Sequence, residues 1–360
     1  MENDIGTDAL RGSYRRYTVR KTVIIALILI SIIVICGIAL TLGGRDIGFS
    51  EAYGIIWNHL FGEIPAAGTS EFFDDYAIWN VRLPRILVGI ICGAGLAVGG
   101  AAMQSAVKNP LADPYTTGIS SGAVFGVSIA IVLGFSLTNT IGMYGFVLNA
   151  FIFGLIPAAV IVIISKFAHC SPATIILAGV AMSYLFQAAS TLLLVGTSAE
   201  KLEEVYHWQV GTLENVNWDY VPIMLVFNFV GGIILFIMSR KLNLLTTDDA
   251  SAQSLGINPE YLRTIVLVII SLMTASIVGF VGIIGFVGLV SPHIMRLIIG
   301  ADNRYLIPAS ALFGAAFLLL ADLISRLIIY PGSIAVGVIM SFVGAPIFLL
   351  LIIRNRKEMW

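Results

Sequence analysis

Residues 240–263 read RKLNLLTTDDASAQSLGINPEYLR, a polar island set between long apolar runs. Thr246 with Asp249 three residues on has the form of a capping box, and Gly256 is a natural helix stop. Asn258 then caps a new start, with Pro259 at its first helical position. The spacing predicts two short amphipathic helices joined at the glycine. A capped pair of this kind at a membrane face suits docking of another protein. Within it Thr247, Asp248, Asp249, Ser254, Leu255 and Gly256 are the candidate contact residues.

Outward from the island the chain is oily. Hydrophobic residues make up 58% and charged residues 11%, against roughly 25% charged in soluble domains. A mean hydropathy of +0.96 leaves no room for a large aqueous domain. The net charge of −1 provides no basic field for nucleic acid. Cys36, Cys92 and Cys170 are isolated, so they read as packing residues rather than a disulfide or metal framework. The run Thr22 to Leu42 is too long for a signal-peptide core and matches a bilayer crossing. The expected fold class is an all-α polytopic membrane protein.

Apolar runs lie near 22–42, 83–106, 115–135, 144–166, 173–196, 221–240, 305–329 and 334–353. The stretch 264–300, with GFVGIIGFVG near its centre, is read as two legs, which makes ten spans. Charge supports that parity, because an inside amino terminus puts 15 of the 20 Lys and Arg on cytoplasmic segments. Both termini are then cytoplasmic: a basic tail over 1–21, a transmembrane domain over 22–353, with 240–263 as its coupling loop, and a short tail over 354–360. Gly95 and Gly99 in the second span form a small-xxx-small pair for close helix approach.

The chain carries no motif of nucleotide hydrolysis or of a metal-dependent enzyme. No Gly-Lys pair exists, so there is no phosphate-cradling P-loop, and no HExxH occurs. No catalytic residue and no metal ligand is assigned. Asp322 and Arg326, four apart in the ninth span, can pair along one face. His293 reads as a packing histidine.

Several segments, in order, resemble the permease subunits of ABC importers for iron(III)-siderophores, haem and vitamin B12. They are Arg82-Leu-Pro-Arg85; Gly93-Ala-Gly-Leu-Ala with Met103-Gln104; Asn109-Pro-Leu-Ala-Asp-Pro114; Gly118-Ile-Ser-Ser-Gly-Ala123; Trp208 with Gly211-Thr-Leu213; and Ser254-Leu-Gly256. Gly285-Phe-Val-Gly-Leu-Val-Ser-Pro-His293, Asp322, Arg326 and Gly344-Ala-Pro-Ile-Phe348 complete the set. The chain departs from the family pattern at Pro331-Gly-Ser-Ile-Ala-Val-Gly337, where Ser333 and Ala335 replace an acid and a proline.

The resemblance implies a second permease, identical or homologous, two cytoplasmic ATPase subunits carrying ATP and Mg, and an extracytoplasmic substrate-binding protein. No cofactor is expected in this chain itself, which would lie in the bacterial plasma membrane as a non-enzymatic subunit importing an iron chelate. The same resemblance implies that Arg82, Arg85 and Arg326 receive acidic side chains of the binding protein. Gln104, Asn109, Pro110, Asp113, Pro114 and Ser120 are the pathway or gate candidates. The alternative is a secondary transporter working without an ATPase.

Overall fold

A computed structural model describes residues 2–62, 65–137, 143–168, 171–329 and 332–354. Cys170, Pro331 and nearly all of the 354–360 tail lie outside the described residues. Among those described, the regular structure is helical, joined by turns and loops, and the one β-type pairing is an isolated parallel bridge between Val210 and Ile283.

The helices run in this order: α1 Glu2–Thr41, α2 Phe49–Phe61, α3 Ser70–Tyr76, α4 Leu83–Ala106, α5 Ile119–Leu133, α6 Met143–Ala168 and α7 Pro172–Leu194. There follow α8 Ala199–Gln209, α9 Tyr220–Ile237, α10 Ser239–Leu245, α11 Asp249–Ser254 and α12 Pro259–Val281. The chain closes with α13 Val287–Ile299, α14 Asn303–Ile328 and α15 Val336–Arg354. Among the described residues, seven segments are long and apolar enough to cross a membrane, and Ile119–Leu133, Val287–Ile299 and Val336–Leu351 are shorter apolar helices. The stretch 264–300 does divide into two helices, with the break at residues 282–286.

Helix α4 is the central post. Between Ile86 and Met103 it has only apolar and small residues, and a helix without a polar face must be enclosed by its neighbours. Helices α9, α12, α13 and α14 all pack against it. Small residues set the distances. A Cβ on Gly93 would lie 2.4 Å from the Gly314 carbonyl oxygen of α14, and one on Gly100 would lie 1.8 Å from that of Gly288 on α13. The closest backbone approaches therefore use Gly93 and Gly100. The expected pair does something else: Gly95 faces the Asn228 side chain and Gly99 faces Pro114 and Ile270. Spacing alone names a stripe, but which neighbour comes closest depends on where α13 and α14 cross.

Helices α1 and α7 differ from α4. Their apolar windows are only 28% and 22% buried, so most of their side chains face away from the rest of the chain. In a bilayer, lipid or another subunit covers such faces.

Candidate functional site

At one end of the bundle the polar island forms a compact buttress. The short helices are α10 and α11; the helix after the glycine is no short element but the start of the 23-residue α12. The cap of α11 is Asp248, whose carboxylate accepts from Ser251 N–H at 2.9 Å. The expected Thr246 cap is not used. Thr246 is helical (φ −76°, ψ −16°), ends α10, and its hydroxyl donates to the Asn243 carbonyl, while Asp248 has the extended backbone an N-cap requires. Gly256 turns the chain at φ +81°, and Asn258 caps α12 by accepting from Tyr261 N–H at 3.1 Å.

Thr247, Asp248, Ser254, Leu255 and Gly256 are exposed on this buttress, whereas Asp249 turns toward the bundle. Its carboxylate accepts from Arg263 at 2.8 and 2.6 Å and from Lys108 at 2.8 Å. The Arg263 side chain is completely buried and also donates to the Ala106 carbonyl at the end of α4. The Arg263 guanidinium, with Lys108 adding to it, holds the Asp249 carboxyl well below the usual carboxylate range. A second polar chain runs from Asp302 through Asn243 and Asn303 to Ser105, joining α10, α14 and α4. Hydrogen bonds from Arg304 and Asn243 lower Asp302 to about 2. Sequence reading found the exposed residues of the island but missed Lys108, Arg263 and Asn243 as its fasteners. A basic residue beside an acidic loop was the available signal.

Beside the buttress, Asn109-Pro110 follows the end of α4 at Ala106, and Asp113-Pro114 opens a 3-10 turn, Pro114–Thr117. Asn109 and Asp113 accept from Leu111 N–H at 2.9 Å and Tyr115 N–H at 2.8 Å, so each side chain is spent on a turn. Pro114 wedges against Gly99 and Gly288. Buried Gln104 donates to the Leu289 carbonyl at 3.3 Å, and Ser120 is half-buried on the first turn of α5. Tyr115 then links this segment to the 282–286 break, its hydroxyl donating to the Ile284 carbonyl at 3.3 Å.

At the opposite end of α12 three irregular segments converge. Gly211 N–H donates to the Ile283 carbonyl at 3.1 Å, Thr212 N–H to that of Val281 at 2.9 Å, and Gly337 N–H to that of Gly211 at 2.9 Å. Gly282, at φ +74°, leaves no room for a side chain beside the Trp208 carbonyl. In a membrane protein, non-helical backbone is tolerated where it lines a cavity, and these segments border one. A cavity of about 760 Å³ opens among Trp208, Val210, Thr212, Phe280, Gly282 and Ser333.

The arginines expected on the outer surface lie inside the protein. Arg82, 4% exposed, donates to the carbonyls of Leu40, Thr41 and Arg45, closing the carboxyl end of α1. Asp322 does pair with Arg326, as its spacing predicts, and it also receives Arg85 at 2.8 and 2.9 Å. Arg326 reaches the Ala39 carbonyl as well. So placed, these guanidinium groups hold α1, α4 and α14 together.

A helical membrane bundle with a capped polar buttress at one end and a cavity at the other has the form of a transport permease. Residues 27–354 match the FecCD transport family, and the chain belongs to that family. It is 35% identical to a haemin transport system permease of Yersinia pestis over 92% of this chain and 97% of that one. It is 38% identical to a cobalamin import permease of Halobacterium salinarum over 78% and 74%. Among solved structures, an inward-facing metal-chelate type ABC transporter aligns with TM-score 0.80 at 29% identity, covering 92% of this chain and 99% of the other. The protein is thus a multi-pass membrane permease of an ABC importer, and membership implies a partner permease and an ATPase on a separate chain.

Proposed function

We propose that this chain is the permease through which an iron(III)-siderophore or similar metal chelate enters the cytoplasm by ATP-driven alternating access. The seven long and three shorter apolar helices would give ten crossings with both termini cytoplasmic. The island would then face two cytoplasmic ATPases, which bind the ATP and Mg, and the cavity at the far end of α12 would face an extracytoplasmic binding protein.

One observation carries the reading. Helix α11 is capped, exposed along Asp248, Ser254 and Leu255, and fastened through Asp249 to the base of α12. A surface linker needs none of this, whereas a part that transmits force needs all of it. Thr247, Asp248, Ser254, Leu255 and Gly256 are assigned to the ATPase contact, with Asp249 as its anchor. Gln104, Asn109, Pro110, Asp113, Pro114 and Ser120 are assigned to the inner gate.

The test is reconstitution. Proteoliposomes holding the permease pair, the ATPase and the binding protein should take up ferric chelate only with ATP inside. Uptake by the permease alone on an ion gradient overturns the reading.

A further inference from the structure

The cavity at the far end of α12 has a definite chemical character. Tyr206, Trp208 and Phe280 supply aromatic surface, and the ionisable side chains that line it are Glu203, Glu214 and His207. Among the described residues, no lysine or arginine lines it. A smaller cavity of about 260 Å³ shares Trp208 and Phe280 and adds a third carboxylate, Glu204. The one lysine of α8, Lys201, is engaged elsewhere: its Nζ donates to the Val132 carbonyl at 2.9 Å, beside a separate hollow. His207 sits 3.5 Å from Glu203, so any charge it gains is already matched by a carboxylate.

Two physical consequences follow. The volume of about 760 Å³ falls within the roughly 300–1,000 Å³ of small-molecule sites. Aromatic faces stack on flat or apolar ligand shells and attract cations, while carboxylates that outnumber the basic groups beside them, here Glu203 and Glu214 against His207 alone, repel anions. We infer that this cavity receives a neutral or cationic metal chelate with an apolar or aromatic ligand shell, and disfavours polyanionic chelates. The inference rests on the permease reading above and narrows its substrate class by charge. That distinction matters within a family whose relatives include permeases for haemin, cobalamin, iron(3+)-hydroxamate and molybdate.

The test is calorimetric titration of the full-length permease in nanodiscs of neutral lipid. The two probes are an uncharged ferric trihydroxamate and a ferric tricatecholate of charge −3. At low salt the trihydroxamate should bind at least about tenfold more tightly, and the preference should shrink as screening rises toward ~150 mM salt. The double variant Glu203→Lys/Glu214→Lys, changed only at exposed positions, should reverse the order, and Trp208→Leu should weaken both. Equal or tighter binding of the trianion by the unmodified protein overturns the inference, as does binding of neither probe or an order unmoved by charge reversal. If ATP-driven uptake persists in the complete importer without charge preference, only this inference fails. If no chelate is taken up at all, the permease reading fails with it.

Discussion

Arg263 at the base of α12 grips Asp249 on α11 through two hydrogen bonds, 2.8 and 2.6 Å long, with its guanidinium fully buried. The pair makes the polar island a rigid extension of a membrane helix. Displacing α11 must displace α12, and through Lys108 and the Ala106 carbonyl it must also load the end of α4.

Asp249→Asn should loosen that joint. The buried guanidinium loses its ionic partner, although Asp249 itself is partly exposed and screened, so the expected loss is about 1–3 kcal/mol. Melting of the detergent-solubilised protein should show it, with ATP hydrolysis continuing while uptake falls. Arg263→Lys should behave similarly, since an ammonium cannot make the two-pronged contact. Unchanged uptake in both variants would remove the joint from the mechanism.

The pH dependence of this joint follows from the sign of the Asp249 shift. Its carboxyl is lowered in the folded protein, so its stabilisation is fully present above the ordinary carboxylate value of about 4 and is lost as pH falls through the lower folded value. Asp302, lowered to about 2, follows the same rule. Melting between pH 8 and pH 5 should therefore be insensitive to Asp249→Asn beyond a constant offset, and the offset should shrink only in stronger acid. An offset that vanishes between pH 8 and pH 6 would contradict the assignment.

Gly256 tests the turn separately. A Cβ at this position would meet no atom within 4 Å, so only the backbone angle of +81° resists a side chain. Gly256→Val should misdirect α11 and uncouple hydrolysis from uptake at a cost of about 1–2 kcal/mol, whereas Gly256→Asn, which tolerates this region, should retain most uptake. Equal effects from the two substitutions would rule out the backbone explanation.

Asp322→Asn removes the carboxylate shared by Arg85 and Arg326, both largely buried. Leaving two such guanidinium groups without it should cost about 3–5 kcal/mol. The expected result is a large drop in thermal stability with membrane insertion intact. Docking of a binding protein, measured on the fraction that stays folded, should change little. A docking defect at normal stability would return these arginines to the surface role their sequence suggests.

The helix contacts can be checked by contrast. Gly100→Ala drives a methyl into the Gly288 carbonyl and should destabilise by about 1–3 kcal/mol. Gly232→Ala on α9 meets nothing within 4 Å and should be neutral or slightly stabilising. Similar melting of both variants would argue against the packing of α4 on α13.

Much of this protein is legible in one dimension. Hydropathy alone demands a helical bundle, because a chain in lipid must satisfy its backbone internally, and run length locates the helices. Local chemistry likewise fixes Asn258 as a cap, Gly256 as a turn and the boundary between α4 and α5 at Asn109-Pro110 and Asp113-Pro114. These features depend on neighbours a few residues apart. The i,i+4 pairing of Asp322 with Arg326 is of the same kind.

Partners distant in sequence were decided only by the fold. Arg85 lies 237 residues from Asp322, and Lys108 lies 141 from Asp249. No local rule connects them, so the arginines read as surface groups until packing enclosed them. The cavity beside Trp208 is the same case, since its walls come from α8, the 210–216 segment, the end of α12 and the segment before α15. Sequence determined which stretches must leave water and, at Asn258 and Gly256, where a helix starts and where the chain turns. Tertiary structure decided which charges meet and where space remains, because burial and proximity depend on how helices cross, and the crossing is set by glycine contacts between separate elements.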